Sequence, residues 1–192
     1  MDDTDEKIRR WFVPLSRRDT TLGAAARDLA TIGLVQQDVP FVVQLVENPR
    51  YDLPGFDVFH GATTLQTHDY IHMVLGRGLL PKDESFVIGF TMGSTDRVST
   101  TEEELYAIFA KYLYPKDYRR TDDDLRVFRD AVKLGFISAC RSLATIDFGR
   151  YIDWPLGAIR DDLGLEEDLL RAYYAIEKRR FPQAFESQRL LA

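Results

Sequence analysis

The three histidines of this sequence lie close together, and their spacing can support metal chemistry. His60, His68 and His72 fall within thirteen positions, and Glu84 follows the last of them after eleven residues. Residues four apart on a helix share one face, so His68 and His72 can aim their imidazoles at a single point, with Asp69 beside them. This spacing is typical of helices that bind a metal ion.

The residue types favour a divalent transition metal. Nitrogen and oxygen ligands suit zinc, ferrous iron, cobalt or manganese better than calcium, and no cysteine accompanies them. Four side chains are the predicted ligands: His68, Asp69, His72 and Glu84. Asp69 and Glu84 are also the candidate catalytic residues, since a carboxylate beside a metal ion can move a proton. A histidine pair at this spacing also occurs in ordinary cores, and His60 is open as a further ligand or as a surface residue.

Two helices must position these side chains. Thr63 with Gln66 is typical of a capping box and Gly76 of a helix end, which predicts that a helix carries both histidines between them. Pro81 suits the first turn of a second helix, where Glu84 lies near the positive end of the helix dipole. In an antiparallel hairpin Glu84 would lie nearly level with the second histidine.

Arg77 directly follows the predicted end of the histidine helix. A guanidinium can bind a carboxylate through two parallel hydrogen bonds, so Arg77 is the candidate substrate-binding residue. The alternative is a solvated cation at a helix C-terminus.

The sequence contains the motif HDxxH, which is followed after eleven residues by a glutamate. This pattern resembles the signature of the coenzyme Q biosynthesis protein 4 family, and the sequence looks like a divergent member. A second, weaker resemblance lies downstream, in a closing pattern made of three short segments: Trp154-Pro155-Leu156, Ile159-Arg160 and Leu163-Gly164-Leu165.

This resemblance implies a metal-dependent enzyme that replaces the carboxylate of a prenylated aromatic quinone precursor by a hydroxyl group, an oxidative decarboxylation. It implies a prenylated aromatic or other isoprenoid lipid as partner. Two alternatives stay open. One is a metal-dependent hydrolase, in which the ion lowers the pKa of bound water and Asp69 or Glu84 accepts the proton. The other is a prenyl-lipid-binding or scaffold protein of a quinone biosynthesis complex, without catalysis.

Composition and periodicity predict the fold class. A chain of 192 residues that is 45% hydrophobic is long enough for one domain, residues 1–192, with a sizeable core. Apolar residues recur at helical spacing and no bounded strand alternation appears, so we predict a single all-α domain of about seven helices around the metal-site hairpin. The predicted helices span residues 20–33, 41–46, 64–76, 81–93, 100–113, 121–145 and 165–180, and a short segment over 155–163 precedes the last of them.

The chain ends and the net charge restrict the partners. A net charge of −6 without a basic motif argues against nucleic acid. Residues 1–18 are a candidate mobile arm, whose basic and aromatic centre either docks on anionic lipid or packs Trp11 on the core. The acidic start and the lack of a long apolar run predict a cytoplasmic protein, with peripheral contact to the inner face of a membrane as an alternative. A homodimer is a candidate oligomeric state. Cys140 is the only cysteine and is predicted to be a buried apolar residue.

Overall fold

The computed structural model describes residues 3–32, 63–95 and 120–192. Within these ranges the chain forms helices and no β-strand, which confirms the predicted all-α class. The described part of the chain contains eight α-helices: α1 (Asp3–Arg10), α2 (Leu22–Ala30), α3 (Leu65–Leu75), α4 (Pro81–Gly93), α5 (Asp122–Ile137), α6 (Leu156–Leu163), α7 (Glu167–Arg180) and α8 (Phe185–Arg189). Two short 3-10 helices, Leu143–Thr145 and Phe148–Tyr151, connect α5 to α6. The predictions for residues 41–46, 100–113 and His60 lie outside the described residues.

The histidine helix α3 begins one residue later than the predicted capping box. Thr64, rather than Thr63, is the N-cap, and its hydroxyl accepts a hydrogen bond from the N–H of Thr67. A threonine whose side chain reaches the third residue of the helix satisfies one of the free N–H groups there. The other end is as predicted: Gly76 adopts the left-handed conformation, with φ of 69°, that a side chain would disfavour.

Helix α4 begins at Pro81, as predicted, and packs against α5 along a line of glycines. A Cβ atom at Gly93 would lie 2.1 Å from the carbonyl oxygen of Val132, and one at Gly135 would lie 2.4 Å from that of Phe90. The two helix backbones therefore approach more closely than any other residue type would allow.

Gly93→Ala is expected to destabilise the fold. Alanine favours a helix over glycine by about 1 kcal/mol, but the added methyl group meets a backbone oxygen, and overpacking of this kind costs about 1–3 kcal/mol or more. Urea denaturation should show a net loss of stability. Gly149→Ala is the matched control, since its Cβ would meet only a side-chain oxygen of Asp147 at 3.1 Å. Equal midpoints for the two variants would contradict the close packing.

Helix α5 is shorter than the sequence predicts. It begins at the predicted place, where Thr121 and Asp124 form a capping box, but ends at Ile137 rather than near residue 145. Beyond it Ser138 is extended, and the next N–H groups bond to α6 and to the start of α7: that of Ala139 to a Glu166 carboxylate oxygen and that of Arg141 to the Leu163 carbonyl. These long-range partners replace the helical hydrogen bonds.

Some predicted inward-facing residues are exposed. Helical spacing predicts that Phe136 joins Leu125 and Phe128 on the inner face of α5, but Phe136 is 58% exposed. Ile176 of α7, also predicted from its spacing to face inward, is 41% exposed. Apolar spacing predicts that Leu169, Ala172, Tyr173 and Ile176 form the inner face of α7. The buried face consists instead of Leu170, Tyr173, Tyr174 and Glu177. Helix α8 was not predicted.

The N-terminal segment contributes to the same core as the helices. Trp11, Val13 and Leu15 are buried in one apolar cluster that extends to Leu190 near the other end of the chain. Cys140 is also buried, and burial raises the pKa of its thiol to about 12. In the described ranges, no helix has both the length and the apolar character that a membrane crossing requires.

Candidate metal centre

Two consecutive helices bring three predicted ligands together. Nε2 of His68 in α3 lies 2.9 Å from one carboxylate oxygen of Glu84 in α4. Nε2 of His72 lies 2.9 Å from Nε2 of His68 and 3.3 Å from the other oxygen of Glu84. One ligand atom from each residue lies within 4.8 Å of the others. His68, His72 and Glu84 therefore form a compact group that could hold a metal ion.

The distances within this group suit a small divalent ion. Nitrogen and oxygen ligands lie about 2.0–2.2 Å from zinc, so two of them are about 3 Å apart at a right angle and about 3.4 Å apart at a tetrahedral angle. The three observed separations of 2.9, 2.9 and 3.3 Å are close to that range.

The backbone fixes the tautomer of His72. Its Nδ1 lies 2.6 Å from the carbonyl oxygen of Gly78, in the connection between α3 and α4. A carbonyl only accepts hydrogen bonds, so Nδ1 carries the ring proton and the neutral ring presents a lone pair at Nε2. Metal-binding histidines are commonly oriented in this way by an acceptor on their second nitrogen.

The group has more acceptors than protons. Nε2 of His68 faces both the lone pair of His72 and a carboxylate oxygen, whereas a neutral ring carries at most one proton on that atom. A cation at the centre, or an additional proton, is needed to satisfy the facing lone pairs. The donor set thus fits a metal ion on chemical grounds as well as on distance.

Electrostatics keep Glu84 ionised. Burial alone would raise the pKa of Glu84, but the nearby His72 and the hydrogen bond from His68 outweigh it and hold the pKa well below its usual range. The ionised carboxylate is the form that binds metals.

The group is open on one side. His72 is fully buried, while the side chains of His68 and Glu84 are 18% and 22% exposed. Solvent or a ligand therefore reaches the group past His68 and Glu84.

Asp69 does not join the converging ligand atoms. The group found among the described residues consists of His68, His72 and Glu84, without Asp69. The reason is helical geometry, because a residue next to His68 is turned by about 100° around the helix axis. Asp69 is partly buried, and burial raises its pKa while the two histidines lower it. It therefore lies beside the group, within reach of its charges, rather than in it.

Arg77 lies in the core. Its guanidinium makes two hydrogen bonds to the buried Glu177, of 3.0 and 2.6 Å, and lies over the rings of Phe86 and Tyr174. Burial alone would lower the pKa of Arg77, but the charge of Glu177 outweighs it and raises the pKa above its ordinary value. Substrate binding by Arg77 stays a prediction, and a ligand would have to displace Glu177 to reach the terminal nitrogens.

Two residues outside the predicted site hold the end of the histidine helix. Arg160 donates to the carbonyls of Met73 and Val74, and the Tyr174 hydroxyl donates to that of Leu75. Carbonyl groups in the last turn of a helix lack a following helical N–H group, although that of Met73 also accepts from the cap N–H of Gly76 over 3.3 Å. The two side chains therefore satisfy the end of α3 inside the core. The sequence contained one signal for this role, since Arg160 belongs to the downstream motif that resembles the family pattern.

Comparison with known proteins identifies no relative: no family model, curated protein or solved structure matches the chain. The resemblance to the coenzyme Q biosynthesis protein 4 family therefore rests on the two motifs alone.

Proposed function

We propose that His68, His72 and Glu84 hold one divalent transition metal, and that this centre acts on a prenylated aromatic acid by oxidative decarboxylation. The observation that supports the metal is the convergence of three ligand atoms around a histidine whose tautomer is fixed by Gly78. The motif resemblance supports the reaction.

The proposed reaction removes the ring carboxylate as carbon dioxide and places a hydroxyl oxygen on the same carbon. This is a net two-electron oxidation of the substrate, in which the proposed oxidant dioxygen is reduced to hydrogen peroxide and water supplies the hydroxyl oxygen: carboxylic acid, water and dioxygen give phenol, carbon dioxide and hydrogen peroxide. A bound ion would supply a Lewis acid for the carboxylate and, if it is iron, cobalt or manganese, a redox-capable centre.

The residues of the chain have distinct proposed roles. The Gly78 carbonyl keeps the lone pair of His72 pointed into the group. The exposed edges of His68 and Glu84 mark the side from which a carboxylate approaches. Asp69 lies beside the group but not in it, and it is the proposed proton donor or acceptor for the aromatic ring of the substrate.

Glu84→Gln tests the reaction. The substitution keeps the size of the side chain and removes its charge, so we expect weaker metal binding and a loss of turnover of at least about a hundred-fold, as for removal of a principal electrostatic group. The assay measures labelled carbon dioxide released from the ring carboxylate of a prenylated hydroxybenzoate, in air, with iron, cobalt or manganese. Gln66→Ala, at an exposed position of the histidine helix α3, is the control and should keep wild-type turnover.

The assay also separates the alternatives. If wild-type protein binds the precursor but releases no carbon dioxide with any of these ions, the decarboxylase proposal fails in favour of a lipid-binding or scaffold protein. Metal-dependent cleavage of a phosphate ester, abolished in Glu84→Gln, would favour the hydrolase.

A further inference from the structure

The connection between α3 and α4 carries the carbonyl group that orients His72, and it is enclosed on two sides. Gly78 pairs with Phe12 of the N-terminal segment in an isolated antiparallel bridge. Its other close neighbour is Arg189 of α8, because a Cβ atom at Gly78 would lie 1.9 Å from Nη2 of Arg189. Position 78 therefore has room only for glycine beneath this guanidinium.

The Arg189 guanidinium is itself held in place. Its Nη2 donates to a carboxylate oxygen of Asp83 over 2.8 Å, and its Nη1 donates to the carbonyl of Arg9 over 2.8 Å. The same Asp83 oxygen accepts a hydrogen bond from the N–H of Leu80 over 3.3 Å. Arg189 and Asp83 thus hold the connection at positions 78 and 80.

From these contacts we infer that Arg189 is a positioning residue for His72, acting through the backbone of Gly78. The inference rests on the proposed metal centre. Arg189 lies against the backbone of Gly78, whose carbonyl bonds to the ring of His72, and in that way it limits where the carbonyl can lie. Without it, the orientation and tautomer of the His72 ring are held less firmly, and Nε2 meets an ion less often.

Cobalt affinity provides the first test. Arg189→Met should raise the Kd for cobalt about tenfold, which is the low end of the effect of losing a residue that orients a metal ligand. About one ion per chain should still bind at saturation. Arg189→Lys keeps the charge but lacks the planar guanidinium group. Its Kd for cobalt should therefore lie between those of Arg189→Met and wild type.

Lys82→Met is the matched control. Lys82 also links the first turn of α4 to α8, since its Nζ lies 3.8 Å from Glu186, but its ion pairs run to Asp124 and Glu186 and not to Asp83. This variant loses a comparable ion pair between α4 and α8, but no contact to Gly78 or Asp83, so its Kd for cobalt should change less than about twofold.

A second readout needs no metal. The Nδ1 proton of His72, bonded to the Gly78 carbonyl over 2.6 Å, should give a low-field NMR signal in metal-free protein labelled with ¹⁵N-histidine. Arg189→Met should shift or broaden this signal, and Lys82→Met should leave it in place. Should Arg189→Met fail to fold, Gly78→Ala displaces the guanidinium without removing it and should produce the same change.

The outcomes separate this inference from the proposed function. An unchanged His72 signal in Arg189→Met, or in Gly78→Ala where the first variant does not fold, would overturn the positioning role whatever the cobalt affinity. Wild-type protein that binds no cobalt, yet loses the signal in Arg189→Met, would overturn the metal centre and leave the positioning of His72 standing.

Discussion

Replacing Arg77 by methionine is expected to lower the free energy of unfolding by about 3–5 kcal/mol, as for the loss of one partner of a buried ion pair. Arg77 and Glu177 are both fully buried and share two hydrogen bonds. Methionine fills much of the space but leaves the Glu177 carboxylate with the Ser187 hydroxyl as its remaining hydrogen-bond donor among the described contacts. Most of the loss should therefore come from an uncompensated buried charge.

Two further variants test that explanation by urea denaturation. The double variant Arg77→Met, Glu177→Met removes both charges and should be more stable than Arg77→Met alone, because no unpaired ion is left. Arg180→Met breaks an ion pair with Asp130 that is partly exposed, and should cost no more than about 1 kcal/mol. A double variant less stable than the single one would show that the pair contributes more than charge compensation.

Local rules predicted the histidine helix well. The spacing of His68 and His72 fixes which face they share, and Gly76 ends the helix where a left-handed residue is needed. Glu84 could be placed because a short connection leaves two consecutive helices few ways to pack. Asp69 was included because it adjoins His68 in sequence, although neighbours on a helix point in different directions.

Long-range contacts account for what the sequence could not show. Arg77 was expected near solvent at a helix end, and its partner Glu177 lies one hundred positions away in the chain. The end of α5 depends on hydrogen bonds to α6 and α7 rather than on its own residues, which continue the helical pattern past Ile137. No local signal encodes the Arg77–Glu177 pair, whereas the end of α5 combines these long-range partners with a local hydrogen bond from the Cys140 N–H to the Ser138 hydroxyl.

The His68→Ala, His72→Ala double variant is expected to lose its metal. The change removes two of the three ligand atoms and leaves Glu84, which alone offers no more than a single carboxylate to an ion. The loss of metal affinity should exceed the 10–100-fold decrease in affinity that follows removal of a residue that orients a metal ligand. Asp69→Asn is the matched control on the same helix and should keep its metal, because Asp69 lies outside the converging group.

Elemental analysis after exhaustive dialysis measures this most directly, on protein loaded with cobalt or zinc. About one ion per chain in wild type and in Asp69→Asn, with almost none in the double variant, is the result that the three-ligand centre predicts. Far-UV circular dichroism establishes that each variant is folded before its metal is counted. Metal content that is the same in the folded double variant and in wild type would contradict a centre formed by His68, His72 and Glu84.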